Sequence, residues 1–113
     1  MKKKLDAAYG VIGLGRFGEA LATMLAQSGN EVIAVDKDEK KIREIRQYTD
    51  CAFVADNLSA DTLKEIGIQN CDVVIICIGE QVDVSVLTTM SVIEMGVPRV
   101  IAKALSPEQG AVL

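Results

Sequence analysis

Three glycines spaced as Gly-x-Gly-x-x-Gly are the residues of this sequence best suited to chemistry. Gly13, Gly15 and Gly18 follow a short apolar run and precede a plausible helix, in the stretch VIGLGRFGEA at 11–20. Glycine permits a tight turn and a close approach of backbone to ligand, and the first amides of a helix attract an anion. We expect Gly13 to make the turn, Gly15 to leave room for a pyrophosphate, and Gly18 to pack the helix on the strand.

An acidic residue follows this motif at the spacing of a dinucleotide site. Asp36 ends the second predicted strand, eighteen residues after Gly18, where a carboxylate accepts hydrogen bonds from a ribose diol. Two anions in contact repel, so Asp36 favours NAD or NADH over NADP, whereas ATP and ADP carry the same adenosine diol and stay open. Lys37 either softens this discrimination or is solvated at the start of a helix.

Two side chains lie between the last glycines of the motif. Arg16 adds a permanent positive charge where backbone amides bind phosphate; the alternative is an arginine in solvent at the mouth of the site. Phe17 belongs to the candidate site by position. We expect it to be a core residue beneath the first helix rather than a stacking platform.

The partners that an oxidoreductase needs beside such a site are not found. The sequence has no histidine, and Gly13 and Ala52 stand four residues after Tyr9 and Tyr48, so neither tyrosine forms a Tyr-x-x-x-Lys pair. The apolar neighbours of Cys77 favour a buried structural thiol over a nucleophile. The residues alone leave open whether the protein uses its ligand as an enzyme or only binds it. The alternatives are the cofactor-binding half of an NAD-dependent oxidoreductase and a structural interaction domain.

Short β-branched runs alternate with helical patterns, which is the order expected of βαβ units around a parallel sheet. The predicted fold class is α/β, a Rossmann-like doubly wound parallel sheet with helices on both faces. Five strands fall within the sequence and a sixth is missing. The five are predicted at 8–12, 32–36, 52–55, 73–77 and 99–103.

Four helices and the start of a fifth are predicted between and after these strands. The second follows Asp38, the third covers 59–66, the fourth covers 82–95, and Ser106 starts the fifth. The fourth has more apolar surface than one sheet face requires; ordinary core packing is expected to explain most of these positions, and an interface is the alternative for the rest. The first begins inside the glycine motif, and its apolar residues at helical spacing are predicted to face the sheet: Phe17, Ala20, Leu21, Met24 and Leu25.

The composition excludes several classes of protein. A formal net charge of -4 over 113 residues gives no basic field to gather nucleic acid, and the apolar run 73–78 is too short to span a bilayer. Cys51, Cys71 and Cys77 lack CxxC spacing and are expected to be reduced core thiols of a cytosolic protein. We expect one domain over residues 1–113, without nucleic-acid binding, a metal site or membrane insertion.

Over essentially its whole length the sequence resembles the N-terminal nucleotide-binding subdomain of RCK domains, also called KTN or TrkA-N. These belong to regulatory subunits of Trk and Ktr potassium transporters and to potassium channels. The resemblance lies in YGVIGLGRFGEALATMLAQSGNEVIAVDKDEKKI, FVADNLSADTLKEIGIQNCDVVIICIGEQVDVSVLTTM and VPRVIAKALSPEQGAVL, and it is nearest to the Ktr-type ring-forming subunits. It implies an RCK N-terminal domain at 1–113, truncated at its C-terminus.

The resemblance implies further ligand contacts. Asp56 and Asn57, after the third strand, correspond to positions that face the adenine, although Asn57 is equally suited to capping a helix. Ile78 and Gly79 follow the fourth strand at the same edge, where a glycine lets backbone approach the ligand or makes a simple turn. Lys103, at the end of the fifth strand, matches a basic position near the ligand; alternatively it is a lysine that merely ends a strand.

The resemblance also implies a regulatory protein rather than an enzyme. In such proteins NAD, NADH, ATP or ADP acts as a conformational switch, homodimers form, and full-length chains assemble into an octameric ring. The ring gates a membrane potassium-translocating subunit. The implied location is cytoplasmic, at the inner face of the cell membrane, where the membrane partner holds the ring.

Overall fold

Five short apolar strands lie side by side in one parallel sheet. The computed structural model describes residues 7–78 and 82–102. The strand order is β3-β2-β1-β4-β5, and the predicted doubly wound α/β fold is confirmed. The strand ends differ from the predicted ones by a single residue at most. The strands are β1 Ala8–Ile12, β2 Glu31–Asp36, β3 Cys51–Val54, β4 Val73–Ile76 and β5 Arg99–Ala102.

Helices connect these strands, and side chains cap the starts of two of them. The side chain of Asp38 accepts from the N–H of Lys40 at 2.9 Å, and that of Ser59 accepts from the N–H of Thr62 at 3.2 Å. Gly67 ends the third helix with φ of +101°. The helices are α1 Arg16–Gln27, α2 Glu39–Ile45, α3 Ala60–Ile66 and α4 Val82–Glu94, with an unpredicted 3-10 helix Ile68–Asn70 after α3. The fifth helix predicted from Ser106 lies outside the described residues.

The two faces of the sheet carry separate apolar cores, because consecutive strand residues point to opposite sides. Ala22 of α1 and Ile42 of α2 pack against one face. Leu63 of α3 and Val92 of α4 pack against the other. The helices therefore cover both faces, and all four begin at the edge where the strands end, because each follows a strand directly.

The predicted inner face of α1 is partly wrong. Phe17 is 49% exposed and Met24 is 58% exposed, and Ala20 is also exposed. The helix instead turns Gly18 and Ala22 toward the sheet, because a glycine at that position allows the closest approach. Leu21 and Leu25 are half-buried against the first core, as predicted.

The cysteines also differ from expectation at one position. Cys71 and Cys77 are buried and Cys51 is exposed, and all three are free thiols. Cys51 is the first residue of β3, which forms the outer edge of the sheet and has a neighbouring strand on only one side. Its place at this edge explains why the prediction of a core thiol is wrong there.

The outward surface of α4 is apolar, so the expectation that core packing explains most of its apolar positions is wrong. We call its exposed apolar residues the outer face of α4. No helix within residues 7–78 and 82–102 is long and apolar enough to cross a membrane. The outer face comprises Val82, Val86, Leu87, Met90 and Ile93, which are between 44% and 64% exposed.

Candidate functional site

The turn after β1 brings the glycine motif against the end of β4. Gly13 has φ of +101°, and its N–H donates to the carbonyl oxygen of Val35 at 2.8 Å. A Cβ on Gly13 would lie 2.8 Å from the carbonyl oxygen of Cys77, which is too close for two nonbonded atoms. Glycine is therefore required here for its conformation and for its size. The turn lies where the strand order reverses, the place at which ligands of open α/β sheets bind.

The other two glycines of the motif have opposite surroundings. A Cβ on Gly18 would overlap the carbonyl oxygen of Gly13, so Gly18 lets α1 pack tightly on the turn. A Cβ on Gly15 would meet no atom within 4 Å. Gly15 is also the N-cap of α1, with no side-chain hydrogen bond capping the helix. An anion can therefore approach the backbone above Gly15, beside the first amides of α1.

Asp36 is tied to this turn by hydrogen bonds. Its Oδ2 accepts from the N–H of Leu14 at 2.6 Å, and its Oδ1 accepts from the N–H of Asp38 at 2.8 Å. Each carboxylate oxygen has two acceptor sites, so one remains on each for a ligand hydroxyl. The carboxylate is partly buried. It thus connects the end of β2 to the glycine turn and still presents acceptors at the edge of the sheet.

Leu14 is a residue of this site that the sequence analysis did not identify. Its side chain is 1% exposed and lies in the first core, while its N–H donates to Asp36. The feature of the sequence that could have identified it is an apolar residue between two glycines of the motif. Such a residue anchors the turn from below, and the turn then holds its amides in fixed directions.

Arg16 is exposed and begins α1, directly after the open position at Gly15. Its side chain also borders a groove of about 570 Å³ between α1 and α2, which is lined in part by Glu19, Met24 and Tyr48. This groove does not include Gly13, Gly18 or Asp36. Arg16 therefore lies between the glycine turn and the groove.

The remaining motif residues on this side are solvent-facing. Lys37 is exposed, directly after the end of β2. Phe17 is half exposed at the start of α1, so the expectation of a core residue is wrong. The buried apolar residue of the motif is Leu14, which is 1% exposed.

Asp56 and Asn57 follow β3 and are both exposed. The Oδ1 of Asn57 accepts from the N–H of Ser59 at 3.1 Å and from the hydroxyl of Thr62 at 2.9 Å. The carbonyl of Asn57 therefore organises the start of α3, where Ser59 is the N-cap itself. Its amide nitrogen is the part of the side chain that a ligand would use.

Ile78 follows β4 at the same edge of the sheet and is half-buried against the second core. Gly79 and Lys103 lie outside the described residues. The ends of β1, β2, β3 and β4 therefore bring together the glycine motif, Asp36, Asp56 with Asn57, and Ile78, because carboxyl ends of parallel strands share one edge.

This arrangement offers amides for an anion and a carboxylate for a diol. The sequence contains no histidine, and Cys77 is buried under the turn. Within the described part of the chain, no group of three or more histidine, cysteine, aspartate or glutamate side chains could hold a metal ion.

Comparison with known sequences finds relatives over nearly the whole chain. It is 40% identical over 104 residues to Ktr system potassium uptake protein C of Bacillus subtilis, covering 92% of this chain and 45% of that protein. It is 39% identical over 108 residues to Ktr system potassium uptake protein A of Vibrio alginolyticus, covering 96% and 49%. The chain thus spans slightly less than half of either relative.

Comparison with solved structures supports the fold. The NAD(P)-binding domain of an exopolyphosphatase-related protein from Archaeoglobus fulgidus superposes with a TM-score of 0.73 at 21% identity, covering 94% of this chain and 79% of that one. The sequence profile of the TrkA-N domain matches residues 9–113. Because that match covers nearly the whole sequence, the chain belongs to the TrkA-N domain family.

Proposed function

We propose that this chain is a nucleotide-sensing module that regulates potassium transport. The observation that supports it most directly is the open space above Gly15, beside the first amides of α1 and next to a turn that is bonded to Asp36. The names of its relatives support the link to potassium uptake. The module binds its ligand reversibly and breaks no bond.

The ligand is NAD or NADH, or alternatively ATP or ADP. All four present a phosphate chain to the amides of the glycine turn and an adenosine diol to Asp36. A phosphate on the diol would approach the carboxylate of Asp36, and the repulsion disfavours NADP. The proposed contacts beyond the turn are Arg16, Phe17, Lys37, Asp56, Asn57, Ile78, Gly79 and Lys103.

Regulation follows from differential affinity. A nucleotide shifts a conformational equilibrium only as far as it binds one state better than the other. The partner is a membrane subunit that translocates potassium, and the module works at the cytoplasmic side of that subunit. Homodimers, and an octameric ring of full-length chains, are the assemblies that transmit the shift. The outer face of α4 supports self-association, because it leaves apolar side chains in contact with water.

Arg16 is the residue proposed to distinguish ATP from ADP. Its charge lies beside the open position at Gly15, where a guanidinium can pair with a terminal phosphate. We expect Arg16→Ala to lose the preference between ATP and ADP in calorimetric titrations. Arg43→Ala, an exposed arginine on α2, is the matched control. An unchanged ATP-to-ADP ratio in Arg16→Ala contradicts this role.

The test of the proposed function uses Gly15→Ala. The backbone at Gly15, with φ of -69° and ψ of -167°, suits alanine, and no neighbouring atom obstructs a methyl group. We expect the free energy of unfolding to change by less than about 1 kcal/mol. Affinity for NADH, ADP and ATP should fall at least roughly tenfold, because the methyl group occupies the space that the phosphates need.

Isothermal titration calorimetry measures the affinities, and urea unfolding checks the fold of the variant. Wild-type protein that binds none of the nucleotides contradicts the proposal. Loss of nicotinamide absorbance when NADH is mixed with carbonyl compounds would favour the oxidoreductase reading instead.

A further inference from the structure

α4 is attached to the sheet through small and partly polar side chains. Its buried residues are Ser85, Thr88 and Val92, of which Ser85 is 8% exposed and Thr88 is 2% exposed. By contrast α2, a shorter helix, buries Ile42 and Ile45. The free energy that holds a helix on a sheet grows with the apolar area it buries. Each turn of α4 therefore contributes less free energy to its attachment to the sheet than each turn of α2 does.

The attachment of α4 is uneven along its length. Val92 and Val97 belong to the second core, and Met95 packs against it, so the C-terminal end is anchored by apolar contacts. In the N-terminal half, residues 82–89, the buried residues are Ser85 and Thr88, and Val84 and Thr89 are half-buried. None of the buried apolar residues of the second core lies on this half, so it buries less apolar surface than the C-terminal end does.

A hydroxyl in this half bonds within the helix rather than to the sheet. The Oγ1 of Thr89 donates to the carbonyl oxygen of Ser85 at 2.7 Å. Such a bond to the preceding turn competes with the main-chain ladder and bends helices slightly. It adds no contact between α4 and the strands beneath it.

The weakly held half also lies nearest the candidate site. Ile78 follows β4 at the carboxyl edge of the sheet, and α4 starts at Val82. Only three residues lie between Ile78 and Val82 in the sequence, and each spans at most about 3.6 Å. A ligand along the edge is within reach of the first turns of α4, while Val92 remains fixed in the core.

We infer that residues 82–89 of α4 form the element whose seating on the sheet responds to nucleotide. This inference rests on the proposed function, since it takes the carboxyl edge as the ligand site. Bound nucleotide keeps the N-terminal half of α4 packed on the sheet, and without nucleotide this half opens locally. Because Val82, Val86 and Leu87 of the outer face lie on this half, their orientation changes with ligand.

The first test is hydrogen exchange of the ligand-free monomer, followed residue by residue by NMR. The monomer is obtained by dilution or, where a dimer persists, with Ile93→Glu, which lies on the outer face but outside the measured turn. The second turn of α4, at 86–89, is compared with the second turn of α1, at 20–23. We expect exchange at 86–89 to be faster by roughly tenfold or more. Equal or slower exchange at 86–89 overturns the inference.

The second test strengthens the seating by substitution. Thr88→Val places a methyl group where a hydroxyl is buried, and we expect exchange at 86–89 to slow about fivefold. Ser85→Ala should slow exchange at 86–89 about twofold, because alanine favours a helix more than serine does. Thr23→Val on α1 is the matched control and should leave 86–89 unchanged. Faster exchange in both α4 variants would mean that the hydroxyls hold the helix, contrary to the inference.

The third test adds saturating ADP or NADH, with binding established by calorimetry. Exchange at 86–89 should slow about tenfold, and the ligand effect should shrink in Thr88→Val. Nucleotide that binds without slowing exchange at 86–89 overturns the inference and leaves the proposed function intact. If no nucleotide binds at all, the proposed function is contradicted, and so is the inferred response of α4 to ligand.

Discussion

At the scale of single residues, the carboxylate of Asp36 has a structural role besides its proposed contact with ligand. Its two oxygens accept from the N–H groups of Leu14 and Asp38. The spacing in the sequence predicts a ribose contact for Asp36 but not these hydrogen bonds. The carboxylate therefore also shapes the turn.

We expect Asp36→Asn to weaken both the fold and the binding. An amide replaces one acceptor with a donor, so either Leu14 or Asp38 loses its partner, at a cost of about 1–3 kcal/mol in the free energy of unfolding. Affinity for NADH and ADP should fall roughly tenfold or more, because a charged acceptor for the diol is lost. Urea unfolding and calorimetry measure the two effects. Asp50→Asn, at an exposed aspartate away from the site, is the control, and equal affinities in wild type and Asp36→Asn would refute the assignment.

The three thiols should react with different rates. Cys51 is exposed while Cys71 and Cys77 are buried, so Ellman's reagent should modify one thiol quickly in the native protein and two more only on unfolding. Cys51→Ser should abolish the fast phase. A fast phase that survives in Cys51→Ser would show that a buried thiol is accessible after all.

Cys71 also predicts a pH dependence of stability. Burial raises the pKa of Cys71 from 9.0 to about 11, and the charges of Asp72, Cys51 and Glu31 add to the shift. The native state thus keeps a proton that the unfolded chain has lost, so the contribution to stability is full below pH 9.0 and falls away toward pH 11. The free energy of unfolding should decline less steeply over this range in Cys71→Ala than in wild type. Parallel slopes would argue against the shift.

At the scale of elements, the strands were predictable and the inner face of α1 was not. Non-alternating apolar runs such as 73–76 identify strands that are buried on both faces. Helical spacing on α1 selects Phe17 and Met24 just as well as Gly18 and Ala22, and only the close packing of Gly18 on the turn decides between them. The 3-10 helix after α3 left no periodic signal, since three residues are too few to show one.

The start of α3 tests a local capping role beside the site. Ser59 accepts from the N–H of Thr62 at 3.2 Å, and its hydroxyl lies 3.0 Å from that of Thr62. We expect Ser59→Ala to lower the free energy of unfolding by about 1 kcal/mol, because an orphan amide loses its cap. Ser28→Ala, at the exposed end of α1, should change it by less than about 0.5 kcal/mol. Equal changes in the free energy of unfolding for the two variants, measured with urea, would contradict the capping role of Ser59.

At the scale of the whole molecule, the outer face of α4 should determine self-association. Leu87 is 64% exposed and Met24 on α1 is 58% exposed, so both tolerate a charge without a change in folding. We expect Leu87→Glu to shift the protein toward monomer in sedimentation equilibrium, and Met24→Glu to leave the distribution unchanged. A dimer that resists Leu87→Glu, or that dissociates equally in Met24→Glu, would place the interface elsewhere.

An NMR titration with ADP and NADH reveals, by the shifts of the backbone amides, whether the glycine turn binds phosphate. Saturating nucleotide should shift the amides of residues 14–18 most strongly, with a second group at 36–38 where the carboxylate meets the diol. No shifts at saturation, or shifts confined to the groove between α1 and α2 around Gln27 and Tyr48, would contradict the account.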